Sequence, residues 1–392
     1  VTFVYPLSPS RQKRKSVDRG ALGVAMPNDW YKIENVADVD SPALVVYPDR
    51  IAENIRRMIA IAGGPARLRP HIKTHKMSAI VRMQIEAGID KCKCATLAEA
   101  EMAALAGATD VLLAHQTVGP KIAKLAALAK RFPQARFLAI VDDPQIATAL
   151  SEACRQAGSS VDLVLDLDIG MGRSGIRPGA EAAELYRQLA RLPNIFPGGL
   201  HAYDGHLHQH DAAEREAAFE TAMKPAVALR GQLLREGLAV PRFITGGTPT
   251  FPFHARHLDR ECSPGTCVLS DAGYSSCYSD LKFLEAAVVL SRVISKPGEN
   301  RLSLDLGHKA VAADPVNAPR VVWPDLPDAT VIMHSEEHLV LETPLAANLQ
   351  LGDPLYGIPW HICPTCALHA QAIVVRDGRA SETWCVDARD RI

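Results

Sequence analysis

Arg67-Leu68-Arg69-Pro70-His71-Ile72-Lys73-Thr74-His75-Lys76 is the stretch from which the rest of this 392-residue chain can be read. Leu68 and Ile72 are apolar, Pro70 excludes a helix, and a helical pattern begins near Met77. Residues 67–73 therefore read as a strand that delivers lysines, arginines and histidines to its junction with a helix. In α/β proteins ligands gather at the carboxyl ends of strands. A lysine crowded by other cations also holds its proton less tightly and becomes a better amine nucleophile.

Outward from this segment the pattern is regular. Strand-like runs at 43–47, 67–73, 91–95, 111–115, 136–141, 163–168, 198–203 and 242–245 are followed by a weaker one at 262–269. Helical patterns at 49–62, 78–87, 97–106, 120–131, 143–157, 180–191 and 212–236 lie between them. From residue 67 onward this is the arithmetic of a (β/α)₈ TIM-type barrel. Lys73, Thr96, His115, Asp142, Asp168, Tyr203 and Gly246 fall at or just past strand ends, where a barrel builds its site. After about residue 280 the texture changes to short strands at 286–295, 302–306, 330–333, 339–342 and 372–375, without good helices. The expected division is an N-terminal extension with a strand belonging to the β domain (1–39), a barrel (40–280) and a C-terminal β-sheet domain (281–392).

Composition excludes several classes. The chain is 47% apolar and 22% charged with a formal net charge of -1, so neither nucleic acid nor an anionic membrane is an expected partner. No apolar run approaches the length of a membrane span. The mildly apolar start precedes a basic cluster, the reverse of a signal peptide, and residues 1 to about 27 read as a loose extension. Nine cysteines without dense spacing argue for a reduced compartment, here the cytoplasm.

Five further motifs carry chemistry. Ile244-Thr-Gly-Gly-Thr-Pro-Thr250 follows a strand, and amides at Gly246 and Gly247 with the Thr248 hydroxyl can surround an anion. Glu261-Cys-Ser-Pro-Gly-Thr-Cys267 brings Gly265 and Thr266. Asp168-Ile-Gly-Met-Gly-Arg-Ser-Gly175 presents Arg173 on a tight loop, and Gly198-Gly-Leu-His-Ala-Tyr-Asp-Gly205 presents Tyr203. In Pro359-Trp-His-Ile-Cys-Pro-Thr-Cys366 an extended backbone would point His361 and Cys363 the same way, so that both could grip one ion. Sulfur plus imidazole favours zinc over manganese or magnesium, and two protein ligands leave coordination positions open.

Together, in this order, these motifs resemble the D-threonine aldolase and D-serine dehydratase group, pyridoxal-phosphate enzymes of fold type III related to the alanine racemases. The resemblance covers roughly residues 40 to 390. It implies that Lys73 carries the cofactor and that Gly246, Gly247, Thr248, Gly265 and Thr266 hold its phosphate. Arg173 and Tyr203 would contact the cofactor, and His361 and Cys363 would hold a divalent metal. An alanine racemase has an arginine facing the pyridine nitrogen where this chain has Ser263, so a permanently charged partner is not expected there. The aldolase order Tyr-x-Gly-x-x-Gln-His is displaced in Tyr203-Asp-Gly-His-Leu-His-Gln-His210. This leaves His206, His208 and His210 as candidate bases, with His208 foremost. The implied activity is cleavage of a D-3-hydroxy amino acid to glycine and an aldehyde. The alternative is a D-serine or D-3-hydroxyaspartate dehydratase giving a 2-keto acid and ammonia, toward which Cys363 leans. A racemase or a non-catalytic cofactor carrier ranks lower, because neither needs a metal. The resemblance also implies a homodimer in which one chain's β domain covers the other's barrel mouth.

Overall fold

The computed structural model describes residues 29–316 and 318–391, so the extension expected over residues 1 to about 27 lies outside the described residues. The chain enters through β1 (Ala43–Val46) and α1 (Pro48–Ala62), whose first turn accepts Pro48 because that position needs no N–H. Then come α2 (Ser78–Glu86), β2 (Lys91–Cys94), α3 (Leu97–Leu105), β3 (Asp110–Leu113), α4 (Lys121–Arg131) and β4 (Arg136–Val141). The alternation continues through α5 (Pro144–Ala157), β5 (Val161–Leu167), α6 (Ala180–Leu189), β6 (Ile195–Ala202) and α7 (Ala212–Arg235). It closes with β7 (Phe243–Thr245), α8 (Phe251–Ala255), β8 (Glu261–Cys262) and α9 (Ala272–Cys277). Asp143 and Asp211 cap α5 and α7 by accepting two backbone N–H groups each.

Strands β2 to β8 form one seven-stranded parallel sheet in chain order. The segment around Leu68–His71 joins its two edges: Leu68 bridges Cys262 on β8, and His71 bridges Lys93 on β2. Backbone bonds Arg69 N–H to Cys262 O (2.9 Å) and Lys93 N–H to Pro70 O (2.8 Å) complete the closure. The strand expected over 67–73 is thus shorter, because Pro70 offers no ladder donor and residues Ile72–Thr74 fold into a 3₁₀ turn. The eighth strand is likewise only Glu261–Cys262 rather than 262–269; Pro264 and Gly265 end it. Inside the ring, Leu112, Leu138, Ile140, Val164 and Ile244 make an apolar plug. The outward residues of the same strands pack on the helices in a separate, larger cluster.

The second sheet contains β9 (Ala287–Gly298), β10 (Arg301–Leu304), β11 (Val321–Val322), β12 (Thr330–His334), β13 (Leu339–Glu342) and β14 (Pro354–Pro359), followed by α10 (Ile362–Leu368), β15 (Gln371–Arg376) and β16 (Arg379–Cys385). Its order is β12-β13-β10-β9-β1-β15-β16, with β14 pairing β9 and β11. Strand β1 belongs here and not to the barrel: it runs antiparallel to β9 and parallel to β15. Helix α10 is a departure from the all-strand reading of this region. All nine cysteines are free, and among the described residues no helix is long and apolar enough to cross a membrane.

The last residues are tied to the barrel at Lys76. Its ammonium pairs with fully buried Glu99, and its backbone carbonyl accepts the Ala388 N–H. Glu99 also accepts the Ala95 N–H at 2.6 Å, so the carboxylate cannot turn to water. Removing one partner of such a pair leaves a buried uncompensated charge. Lys76→Ala is therefore expected to cost about 3–5 kcal/mol of stability, read from the denaturant midpoint.

Candidate active site

Lys73 lies in the 3₁₀ turn directly above the closing strand segment and is half-buried. His71, just below, sets its Nδ1 3.0 Å from the Lys93 carbonyl. Lys93 itself faces the same barrel interior and is 1% exposed. Burial, and then the nearby Lys73 charge, lower the Lys93 ammonium to about 7. The sequence reading does not single out this second amine. Its signal is present nonetheless, since the alternation that turns Cys92 and Cys94 outward onto the helices turns Lys93 inward.

Opposite the lysines, β5 and β6 carry Asp166 and His201 as register partners. His201 Nδ1 lies 2.7 Å from Asp166 Oδ1, and Ser174 donates its hydroxyl to Asp166 Oδ2 at 3.0 Å. Tyr203 continues the same face one step higher, with the Arg173 guanidinium 5.0 Å from its ring centre and Lys93 Nζ at 5.6 Å. The Arg173 loop is held from below: Asp168 Oδ1 accepts the Gly170 and Gly172 N–H groups, and Asp142 Oδ2 accepts that of Gly175.

The loops after β7 and β8 meet beside this group. The N–H groups of Gly265 and Thr266 both point at the Thr248 hydroxyl oxygen, at 3.2 and 3.1 Å. Gly246 has φ +78°, and a Cβ there would collide with the His254 ring. A Cβ on Gly265 would sit 3.1 Å from that of His71. Convergent amides without side chains in the way are what a phosphate requires of a backbone.

The second domain reaches into this site from the same chain. Cys363 Sγ lies 3.3 Å from Thr74 Oγ1 and 3.7 Å from Thr266 Oγ1, next to the Lys73 turn and the phosphate-sized cradle. His361 and Cys363 are not in an extended segment as expected. His361 precedes α10 and Cys363 is in its first turn, where Pro364 is tolerated and buried Asp271 accepts the Ile362 N–H. The two side chains still come together. Burial works to lower the His361 imidazole, but Cys363 and then Asp314 outweigh it and raise the group to about 9. Asp314 Oδ2 lies 2.8 Å from His361 Nδ1, which fixes the ring, the arrangement common behind histidine metal ligands. Among the described residues no third His, Cys, Asp or Glu completes a metal cluster.

Of the sequence-derived candidates, Lys73, Arg173, Tyr203, Gly246, Gly247, Thr248, Gly265, Thr266 and Cys363 lie around one barrel mouth, with His361 beside Cys363. His208 does not join them in the same way: it is exposed and its ring makes no hydrogen bond to the described residues. His206 is better placed, with its ring packed over Gly170 of the Arg173 loop and its Nδ1 buried without a partner.

Comparison with known proteins bears on this geometry. A family model for the alanine racemase N-terminal domain matches residues 46–272, and one for a putative serine dehydratase domain matches residues 286–375. A D-threonine aldolase from Arthrobacter sp is 32% identical over 373 residues, covering 94% of this chain and 97% of the relative. The chain belongs to the D-threonine aldolase and D-serine dehydratase family. A 3-hydroxy-D-aspartate aldolase of Paracoccus denitrificans (strain Pd 1222), 30% identical, covers 91% of this chain and 93% of its own length. The crystal structure of D-threonine aldolase from Filomicrobium marinum superposes with a TM-score of 0.84 at 32% identity, covering 90% of this chain and 97% of that one. Members of this D-threonine aldolase and D-serine dehydratase family are pyridoxal-phosphate-dependent lyases of the alanine racemase-like fold, and its homologues use divalent metals.

Proposed function

We propose that the protein is a pyridoxal-phosphate- and divalent-metal-dependent lyase that cleaves D-3-hydroxy amino acids to glycine and an aldehyde, as a D-threonine aldolase does. One observation carries this reading: the His361–Cys363 pair packs onto the turn that bears Lys73. A metal-ligand pair beside the amine is needed where a hydroxyl oxygen must be polarised. Racemisation and simple carriage of a cofactor need no such pair.

The residues fit the cofactor. Lys73 is the amine to which it would be joined, the converging amides of Gly265 and Thr266 with Thr248 suit its phosphate, and Tyr203 and Arg173 flank the space between. When bound, the cofactor supplies an electron sink for the pair left at Cα. The rest falls to the chain. Lys73 would hold the cofactor through its amine, and the phosphate loops would fix the ring against sliding. His361 and Cys363 would hold the ion, which would polarise the substrate hydroxyl, with zinc preferred over manganese because of the sulfur. A base near the Arg173 loop takes the hydroxyl proton. His206 has the buried free nitrogen for this; exposed His208 has not.

Dehydration of D-serine or D-3-hydroxyaspartate is the second reading, favoured by the soft Cys363 ligand and the serine dehydratase domain. We also take the working form to be a homodimer, although Thr74 and Cys363 meet within one chain, so the metal pair does not come from a partner. Full activity in a monomer would contradict the dimer. Purified holoenzyme should release glycine and acetaldehyde from D-threonine and nothing from L-threonine. Formation of 2-oxobutanoate and ammonia instead would favour the dehydratase.

A further inference from the structure

In pyridoxal phosphate the carbon that joins a lysine lies across the ring from the pyridine nitrogen, and the phosphate arm is attached next to that carbon. Lys73 stands above the closing segment between β8 and β2, and the phosphate loops follow β7 and β8. Around a ring of eight the position opposite the closing segment is β5, with β6 beside it. A ring anchored on Lys73 with its phosphate in these loops would turn its nitrogen toward the wall that carries Asp166 and His201.

That wall holds an unsatisfied group. His201 is 4% exposed, and its Nε2 is buried with no hydrogen-bond partner. Leaving a buried polar nitrogen unpaired is costly, and such atoms mark places where a ligand completes the bond. The other ring nitrogen is fixed on Asp166 at 2.7 Å, and Asp166 is itself held by Ser174. Beside the pair lies the apolar plug that includes Val164 and Ile244, which offers no polar partner to Nε2. Ser263, which stands where the racemases place an arginine, is turned away and gives its hydroxyl to the Arg69 carbonyl at 3.1 Å.

Resting on the cofactor assignment above, we propose that His201 Nε2 is the partner of the pyridine nitrogen, accepting its N–H in a hydrogen bond, with Asp166 as the positioning residue. Burial, with help from Lys93 and Arg173, disfavours a charged imidazole against the pull of Asp166. A neutral ring whose Nδ1–H goes to a carboxylate presents a lone pair at Nε2. The ring nitrogen thus keeps its proton, which strengthens the electron sink. Asp204 also has an unpaired buried oxygen, but it shares strand parity with outward-facing Ala202. Its other oxygen is on His254 at 2.8 Å, behind the Gly246–Gly247 loop.

The test is ¹⁵N NMR of holoenzyme reconstituted with pyridoxal phosphate labelled at the ring nitrogen. Wild type is expected to show a protonated, hydrogen-bonded nitrogen. His201→Phe should move the resonance toward that of unprotonated pyridine and weaken cofactor retention about tenfold. His201→Gln, which keeps an acceptor near Nε2, should restore at least half of the shift, and Asp166→Asn should perturb it. An unchanged resonance in His201→Phe, or a shift in Asp204→Asn without one in His201→Phe, overturns the assignment. Should His201→Phe lose the cofactor altogether, His201→Gln decides: a resonance at least half of the way from unprotonated pyridine to wild type supports the acceptor, and one nearer to unprotonated pyridine refutes it. Wild-type protein that takes up no cofactor would refute the site reading as well.

Discussion

Lys73→Ala is expected to abolish the visible absorbance of the lysine-bound cofactor and to lower turnover by roughly 10³-fold or more. The anchor must be an amine that reaches the barrel mouth, and three lysines lie near it. Lys76 is committed to Glu99 and the C-terminal residues, so Lys76→Ala should keep the absorbance while losing stability. Lys93 is the serious rival, because it is buried in the barrel and deprotonates near neutrality. Its position on β2, level with His71 and 5.6 Å from the Tyr203 ring centre, sets it deeper in the barrel than the Lys73 turn. Lys93→Met should therefore retain the absorbance. Survival of the signal in Lys73→Ala together with its loss in Lys93→Met would move the anchor to Lys93.

Removal of the metal is expected to have a comparable effect on turnover and none on the cofactor. A β-hydroxyl is a weak acid and a poor leaving group, and a Lewis acid on its oxygen supplies several kcal/mol, roughly 10³-fold in rate. Two protein ligands in one helical turn make a site that a strong chelator can strip, since the other positions belong to water or substrate. His361→Ala should reproduce the stripped state, with the absorbance intact because Lys73 and the phosphate loops are untouched. Cys363→Asp should retain part of the activity and shift the preferred ion from zinc toward manganese, a carboxylate being the harder ligand.

Much of this was legible in the sequence, for identifiable reasons. Alternating strand and helix patterns over residues 67–280 announce a barrel, because parallel strands buried on both faces are nearly continuous apolar runs. Contiguous motifs such as Gly246-Gly247-Thr248 and His361-Ile-Cys363 carry their chemistry in neighbouring residues. What escaped lies across the chain. The Asp166–His201 pair joins positions 35 residues apart through strand register. The reach of Cys363 to Thr74 spans 289 residues. Local backbone departs from the sequence pattern where proline decides it: Pro70 and Pro264 cut two strands short, and Pro364 sits in the first turn of a helix that the pattern renders as an extended segment. Strand β1 reads the same in either sheet, since only its partners β9 and β15 tell which it joins. His208 rests on a displaced motif, and loop histidines cannot be ranked without knowing which face the loop buries.

The most direct measurement is glycine release from D-threonine by cofactor-loaded protein shown by elemental analysis to be free of metal, before and after addition of zinc or manganese. The account predicts glycine and acetaldehyde in equal amounts only after the ion is restored, with the cofactor absorbance unchanged throughout. Undiminished glycine release by the metal-free protein would contradict it.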